Sequence, residues 1–340
     1  MRIALDAMGS DGAPDIEVAG AVEASLESDI EIILVGDEAK LTEKLAAFPK
    51  YGNIKIIHAS EAIGMNDSPG EAVRQKKDSS LLVALRLVKN GEADAVISAG
   101  NTGAVMMGAR IILGPLSGVK RSAICQALPT ASGRVVLLDL GANVDCTARM
   151  LSEFAEMGIA YSHYALQVEN PRVGLLNIGE EAAKGSSVAK EVHQLLTHAP
   201  NVNFIGNIEP KAMYNGGADV VVCDGFIGNI ILKTSESVAG VMAKLVREKF
   251  EASSRSKLGA VLARKSLMEL KEVVDPNKHQ GAPLLGINGV VIITHGSCTS
   301  EGIKNALKGA LTAVHENLNL HIQENIGKLR AFEASRDKAN

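Results

Sequence analysis

The sequence has little of what marks several common classes of protein. Its four cysteines are widely spaced and form no Cys-x-x-Cys pair. This spacing indicates neither a zinc ribbon nor a disulfide framework, and it predicts reduced, mostly buried thiols. No run of 18 apolar residues occurs, and a charged residue follows the first methionine at once. We therefore expect a cytoplasmic protein without a membrane-spanning helix.

An excess of positive charge is also lacking. The 340 residues contain 35 Lys and Arg against 39 Asp and Glu, which gives a net charge of -4. Without an overall basic field, nucleic acid is not an expected partner. The sequence is 46% hydrophobic and 22% charged, a composition that can bury a large core and is unlike that of a disordered chain.

Short runs rich in Val, Ile and Leu recur along the chain and predict buried strands. Amphipathic stretches long enough for helices lie between most of them. The alternation predicts an α/β fold in which helices cover both faces of a sheet. Ligands in such folds bind where strands run into helix-opening loops. The predicted strands cover residues 30–35, 54–57, 93–97, 135–138, 173–178, 220–223 and 290–293, and the predicted helices include 79–90, 185–198 and 301–319.

The chain shows no regular repeat, low-complexity tract or Pro-rich or Ser-rich linker. We therefore expect a single domain over residues 1–340. Residues 235–280 interrupt the alternation with some forty residues of helical pattern and no strand. This segment is predicted to be an inserted pair of helices.

A Gly-rich loop follows the strand predicted at 93–97 and opens a helix. Ser98, Gly100, Asn101, Thr102 and Gly103 supply small side chains, so backbone N–H groups can approach a bound anion. A purely structural turn is the alternative. Neither G-x-x-x-x-G-K-[ST] nor G-x-G-x-x-G is present, so ATP and NAD have no specific support and no cofactor is expected.

A second loop, after the strand at 173–178, places a cation and two hydroxyls before a helix. Lys184, Gly185 and Ser186 are candidate phosphate ligands. The alternative is that Ser186 or Ser187 caps the helix while Lys184 is a solvated surface charge. A third loop, after the strand at 220–223, contains Asp224 and Asn229 as candidate orienting groups, with helix capping by Asp224 as the alternative.

A His and a Ser follow the strand at 290–293. Gly-x-Ser-x-Gly is absent, and two nearby residues do not make a triad, so His295 and Ser297 are predicted to line a pocket. Cys298 is predicted to be a packed thiol. Asp6 and Asp11 at the start of the chain lack a third ligand, so turn or capping roles are favoured and no metal site is predicted.

Taken together, these segments resemble the bacterial phosphate acyltransferases, the PlsX family, in order along nearly the whole chain. Ser10 departs from the second glycine expected in the opening motif. The resemblance implies a three-layer αβα sandwich with a largely parallel mixed sheet, similar to the isocitrate dehydrogenase and phosphotransacetylase group. The segments that carry it are residues 3–14, 98–104, 137–143, 176–185, 224–233 and 281–286.

The same resemblance implies a homodimer that converts acyl-acyl-carrier-protein and inorganic phosphate to acyl phosphate. It also implies a functional link to a membrane glycerol-3-phosphate acyltransferase. Phosphate near pH 7 is partly a nucleophilic dianion, so positioning and fixed dipoles can supply the acceleration. We expect residues 98–103 with Lys184 and Ser186 to bind phosphate, and Lys184, Asn229 and Asp224 to be catalytic.

Residues 254–274 place apolar side chains at helical spacing between basic ones. Leu258, Val261 and Leu262 are candidate membrane contacts, beside Arg255 and Lys257. Packing against protein is the alternative that periodicity favours. Three other functions remain open: a phosphotransacetylase-like enzyme that uses acyl coenzyme A, a dehydrogenase of related fold, and a non-catalytic membrane scaffold for acyl carrier protein.

Overall fold

The structure is a computed structural model that describes residues 1–278 and 280–337. Within these residues eleven strands form one sheet, in the order β3-β2-β1-β4-β11-β10-β5-β6-β9-β7-β8. The strands are β1 (Arg2–Asp6), β2 (Glu31–Gly36), β3 (Ile54–His58), β4 (Ala95–Ser98), β5 (Ala123–Thr130), β6 (Gly133–Leu138), β7 (Arg172–Leu176), β8 (Asn203–Ile208), β9 (Val220–Val222), β10 (Ala282–Leu285) and β11 (Val290–Ile293).

Helices follow most of these strands. A π-helical turn, Tyr161–Ala165, continues the sixth helix, and a 3-10 turn, Pro276–Lys278, follows the eleventh. The α-helices are α1 (Asp15–Glu27), α2 (Glu38–Ala46), α3 (Pro69–Gln75), α4 (Ser80–Lys89), α5 (Thr102–Ile112), α6 (Ala148–Ala160), α7 (Ser187–His198), α8 (Pro210–Tyr214), α9 (Gly225–Glu251), α10 (Ser254–Leu262), α11 (Arg264–Val274), α12 (Ser300–His315) and α13 (Leu318–Asp337).

Helices cover both faces of the sheet. Successive strand residues point to opposite faces and therefore pack into different cores. In β1, Ala4 packs into a core with α4 and α5, whereas Ile3 and Leu5 pack into a second core with α1 and α12. In β6, Val136 and Leu138 pack into a third core with α6 and α13. The predicted three-layer α/β fold is confirmed.

The sheet consists of two parallel halves that run in opposite directions. Strands β3, β2, β1, β4 and β11 are parallel to one another, and so are β6, β9, β7 and β8. Between them, β10 is antiparallel to β11 and to β5, and β5 is antiparallel to β6. Among the described residues, β10 and β5 are therefore the strands that join the two half-sheets.

The register brings the carboxyl ends of the two halves to the same level. Strand β11 ends at Ile293, opposite the first residue of β10. The third residue of β10 pairs with Ile124, and the next β5 residue, Cys125, lies opposite Leu138 at the end of β6. Because the halves are staggered in this way, the loops after β4 and β11 face the loops after β6 and β9 across a central seam.

Each of the seven predicted strand positions contains a strand, but two predicted helices are shorter than expected. The helix predicted at 301–319 ends at His315, because Asn317 adopts a left-handed conformation with φ 49°. The helix predicted at 254–274 is divided at Ala263 into α10 and α11.

The segment predicted as an inserted helix pair contains three helices. Its first helix, α9, begins at Gly225, before the predicted bound of residue 235, and α10 and α11 follow. Residue 279 of this segment and residues 338–340 of the predicted single domain lie outside the described residues.

Candidate active site

Three loops meet at the carboxyl ends of β1, β4 and β11. We call residues 6–14, 98–103 and 294–299 the first loop cluster. The Thr294 N–H donates to the Ser98 carbonyl at 3.0 Å, and the Asp11 N–H donates to the Gly296 carbonyl at 2.9 Å. Gly9 packs so closely that a Cβ there would lie 2.8 Å from the Gly100 nitrogen. The three loops therefore form one packed unit.

The buried Asp6 carboxylate stabilises the first loop cluster through hydrogen bonds. It accepts hydrogen bonds from the hydroxyls of Ser80 at 2.6 Å and Ser98 at 2.7 Å. Burial raises the pKa of Asp6, and the two serine donors oppose that rise. The Ser98 hydroxyl also accepts the Gly100 N–H at 3.1 Å. Asp6 thus shapes the loop backbone, in agreement with the predicted turn role.

Asn101 turns the same loop into a helix N-terminus. Its side-chain oxygen accepts the Ala104 N–H at 3.1 Å, and its amide donates to the carbonyls of Met65 and Asp67 at 3.1 and 3.0 Å. Thr102 is exposed and Gly103 is half-buried. The first N–H groups of a helix have no intrahelical partner and attract anions. The loop therefore presents the backbone donors that the sequence predicts for phosphate.

His295 and Ser297 lie in the first loop cluster and are exposed, as a pocket-lining role requires. The Nδ1 atom of His295 lies 2.8 Å from the Ser297 hydroxyl and 3.2 Å from the Ser297 backbone nitrogen. Cys298 is buried, and burial raises the pKa of its thiol to about 11, so it is protonated at neutral pH. The predicted packed thiol is confirmed.

A buried glutamate beneath the first loop cluster escaped the sequence analysis. Glu17 on α1 is fully buried and accepts the Ser10 N–H at 3.2 Å. Burial raises the pKa of Glu17 to about 7. In the described part of the chain, its second oxygen and the Ser10 hydroxyl have no hydrogen-bond partner. The available signal was an acidic residue on an otherwise apolar helix face, seven positions after the unexpected Ser10.

A second loop cluster, residues 139–143 and 224–229, lies after β6 and β9. The buried Asp139 carboxylate accepts the N–H groups of Ile124, Ala142 and Asn143 at 3.0, 3.1 and 2.7 Å. Burial raises the pKa of Asp139, and these donors oppose the rise. The Asn143 carbonyl in turn accepts the Gly225 N–H at 2.8 Å. Asp139, which the sequence analysis gave no role, therefore positions the start of α9.

The Asp224 side chain is used in capping a helix, whereas the Asn229 side chain is exposed. The Asp224 carboxylate caps α9 by accepting the Ile227 N–H at 2.8 Å, as the capping alternative predicted. Asn229 is exposed, and its side chain lies beside Gly141. Of the two, Asn229 has its amide available to a ligand.

Lys184 lies in the loop after β7. Asn177 donates to its carbonyl at 3.1 Å, and Asn207 donates to the Glu181 carbonyl at 2.8 Å, so two amides hold the loop. Ser186 caps α7 by accepting the Ala189 N–H at 3.2 Å. The Lys184 ammonium is exposed and forms no ion pair within the described residues. Its capacity to attract an anion is therefore unused.

The structure brings together only some of the predicted phosphate ligands. The loop 98–103 is six strand positions from the loop after β7, about 29 Å along the sheet. Lys184, Gly185 and Ser186 do not contact that loop in this chain, so one phosphate contacting both loops is not the arrangement observed. The His295 loop is closer to the second loop cluster, three strand positions or about 14 Å from β6.

Comparison with known proteins identifies relatives over nearly the whole chain. A family model described as "Fatty acid synthesis protein" matches residues 1–321. The chain is 45% identical over 329 residues to the phosphate acyltransferase of Citrifermentans bemidjiense, covering 96% of this chain and 93% of that protein. It is 47% identical over 333 residues to the phosphate acyltransferase of Halothermothrix orenii, covering 96% and 99%.

A solved structure supports the fold. A phosphotransacetylase from Streptococcus pyogenes superposes with a TM-score of 0.61 at 19% identity, covering 93% of this chain and 94% of that chain. The relatives identify the chain as an acyltransferase. The chain belongs to the phosphate acyltransferase family.

Proposed function

We propose that this enzyme transfers a fatty acyl group from acyl carrier protein to inorganic phosphate, in the synthesis of phosphatidic acid. A phosphate oxygen bonds to the thioester carbonyl carbon, the carbon–sulfur bond breaks, and the carrier leaves as a thiolate that takes up a proton. The observation that carries the proposal is the helix N-terminus at Thr102, whose first backbone N–H groups can donate hydrogen bonds to an anion, on the opposite side of the seam from the second loop cluster. Family membership supports the choice of phosphate as acceptor.

The reaction is tested with purified components. Acyl-acyl-carrier-protein and phosphate are incubated with the enzyme, and acyl phosphate is trapped with hydroxylamine and quantified. We expect rapid formation of acyl phosphate, with a higher kcat/KM than for acyl coenzyme A. A preference for acyl coenzyme A would favour the phosphotransacetylase-like alternative. No product from either donor would favour a scaffold that only binds acyl carrier protein.

We assign phosphate binding to the backbone of residues 98–103. Lys184, with Gly185 and Ser186, does not contact that loop and is assigned only a long-range electrostatic role. Asn229 is assigned to orienting the reacting groups, and Asp224 to holding the helix that carries Asn229. The Lys184 role rests on its exposed ammonium, which forms no ion pair with the residues that the structure describes. Wild-type turnover in Asn229→Ala would count against the role of Asn229.

Replacing Lys184 with alanine should raise the KM for phosphate by only about twofold, because its exposed ammonium does not contact the loop 98–103 and acts on it only through a screened long-range field. The measurement is initial rate against phosphate concentration. Lys190→Ala, which removes an exposed lysine of α7, is the matched control and should leave KM unchanged. An unchanged KM and turnover in Lys184→Ala would remove Lys184 from the site.

A homodimer would cover an apolar stripe on α9. The stripe consists of Val238, Val241, Met242 and Leu245, at helical spacing and 45–57% exposed. Burial of these side chains against a second copy is the arrangement that we propose. Light scattering should give a dimer for the wild type and a monomer for Val241→Glu with Leu245→Glu. A monomeric wild type would overturn the proposal.

We also propose peripheral contact with the inner face of the cell membrane through α10. Leu258, Val261 and Leu262 are 63%, 69% and 81% exposed, and Arg255 and Lys257 are nearby basic residues. Among the described helices, none is both long and apolar enough to cross a bilayer. Surface contact would deliver acyl phosphate to a membrane glycerol-3-phosphate acyltransferase.

Leu258→Glu with Leu262→Glu should lower binding to vesicles that contain anionic lipid by at least about tenfold, because burial of each leucine contributes roughly 1.5–3 kcal/mol. Co-sedimentation with phosphatidylglycerol vesicles measures the effect. Leu320→Glu on α13 removes a leucine that is 54% exposed elsewhere and serves as the control. Equal sedimentation of all three proteins would assign α10 to protein contact instead.

A further inference from the structure

The Nδ1 atom of His295 accepts a hydrogen bond from a backbone N–H, a group that can donate but cannot accept. The Ser297 backbone N–H lies 3.2 Å from Nδ1 and can only donate, so Nδ1 carries the lone pair in the neutral ring. The proton of the neutral ring is then on Nε2. His295 is exposed, and its Nε2 has no hydrogen-bond partner in the part of the chain that the structure describes. A directed N–H donor is therefore available at this position.

His295 lies next to the loop that we propose to bind phosphate. Its strand, β11, is the innermost strand of the first half-sheet, and the Thr294 N–H donates to the Ser98 carbonyl. Asp11 holds the other side of the turn through Gly296. In strand order the His295 loop therefore lies between the loop 98–103 and the second loop cluster, and it is the loop of the first half-sheet nearest the seam.

We propose that His295 is a catalytic residue whose Nε2–H donates a hydrogen bond to the thioester carbonyl oxygen. The oxygen gains negative charge as phosphate attacks, so the bond strengthens in the transition state and lowers the barrier. His295 keeps its proton throughout, and the carbon–sulfur electrons leave with the carrier thiolate. A neutral imidazole whose other nitrogen accepts a backbone N–H is an established electrophile of this kind. The assignment rests on the proposed function.

Ser297 offers a competing assignment, because its hydroxyl lies 2.8 Å from the same ring nitrogen. A serine nucleophile would need Nδ1 to take its proton, but the Ser297 N–H already occupies that lone pair. Ser297→Ala keeps the backbone donor that fixes the tautomer. It should therefore reduce turnover only a few-fold, whereas a nucleophile would be indispensable.

The test combines kinetics with spectroscopy. His295→Ala should lower kcat by about 10²–10³-fold with little change in the phosphate KM, because one oxyanion donor is lost. His295→Gln, whose amide N–H approximates the position of Nε2–H, should recover at least tenfold of that loss. The control His315→Ala removes an exposed histidine of α12 and should match the wild type. In 15N NMR spectra of labelled protein, the imidazole signal that disappears in His295→Gln belongs to His295. Its chemical shifts should show the Nε2–H tautomer.

Three results would overturn the assignment. They are turnover of His295→Ala within threefold of the wild type, no recovery in His295→Gln, and an Nδ1–H tautomer. Abolished turnover in Ser297→Ala with an acyl-serine detected by mass spectrometry would transfer the role to Ser297. Failure of the proposed function is distinguishable, because in that case the wild-type enzyme itself would form no acyl phosphate.

Discussion

Replacing Gly228 with alanine should reduce turnover by at least about 100-fold and destabilise the protein by about 3 kcal/mol. A Cβ on Gly228 would overlap the carbonyl oxygen of Asp139 and crowd the Cys223 sulfur. Asp139 is held by several backbone donors and cannot move alone. The first turn of α9 would therefore shift away from the loop 139–143, and Asn229 would move with it.

The same helix provides a matched control. Gly240 has open space where a Cβ would be placed, so Gly240→Ala should stabilise α9 by about 0.5–1 kcal/mol and keep full turnover. Urea unfolding measures the effect of each variant on stability, and steady-state rates measure its effect on turnover. Wild-type turnover and stability in Gly228→Ala would show that the contact between α9 and the Asp139 loop is unnecessary.

Glu156→Gln should make the protein more stable than the wild type at alkaline pH. Glu156 on α6 is buried, one of its oxygens lacks a partner within the described residues, and burial raises its pKa to about 7. Between the unfolded pKa near 4.5 and about 7, the unfolded chain releases this proton before the folded one does. Wild-type stability therefore falls as pH rises through that window, by up to about 3 kcal/mol.

The measurement is the free energy of unfolding at pH 4.5 and pH 8 for the wild type and Glu156→Gln. The stability difference should shift by about 3 kcal/mol in favour of the variant between the two pH values. Glu43→Gln changes an exposed glutamate of α2 and should show no shift. A difference that is equal at both pH values would mean that Glu156 titrates normally in the folded protein.

Much of the fold follows from local patterns in the sequence. The buried strands β4 and β11 are continuous apolar runs, which is the pattern of strands covered on both faces. Strands β5, β8 and β10 were missed because Pro129, Gly206 and Pro283 interrupt their apolar pattern. The break between α10 and α11 at Ala263 could not be predicted either, since the helical spacing of apolar residues continues across it.

The individual loops of the site could be predicted, but their arrangement could not. A strand followed by small residues identifies the loops at Ser98, Asp224 and His295 one at a time. Which loops face each other depends on strand order and on the stagger of the two half-sheets, and neither is encoded in spacing. Asp139 was missed for the same reason, because its donors include Ile124, which lies on another strand.

Helix capping is compatible with the proposed function of the site. Asp224 and Ser186 each cap a helix, as the alternative interpretations predicted, and Asn101 caps α5. A capped N-terminus still leaves the first N–H groups of the helix unpaired. In the loop that begins at Ser98, capping by Asn101 therefore does not compete with the anion site that we propose there.

Helix α9 connects the second loop cluster to the exposed helix α10. It begins beside the Asp139 loop and continues without interruption for 27 residues, about 40 Å. A tilt of about 3° at its base would displace its far end by about 2 Å, given that length. Any change of tilt at the base of α9, beside the Asp139 loop, would therefore move the exposed α10 relative to the sheet.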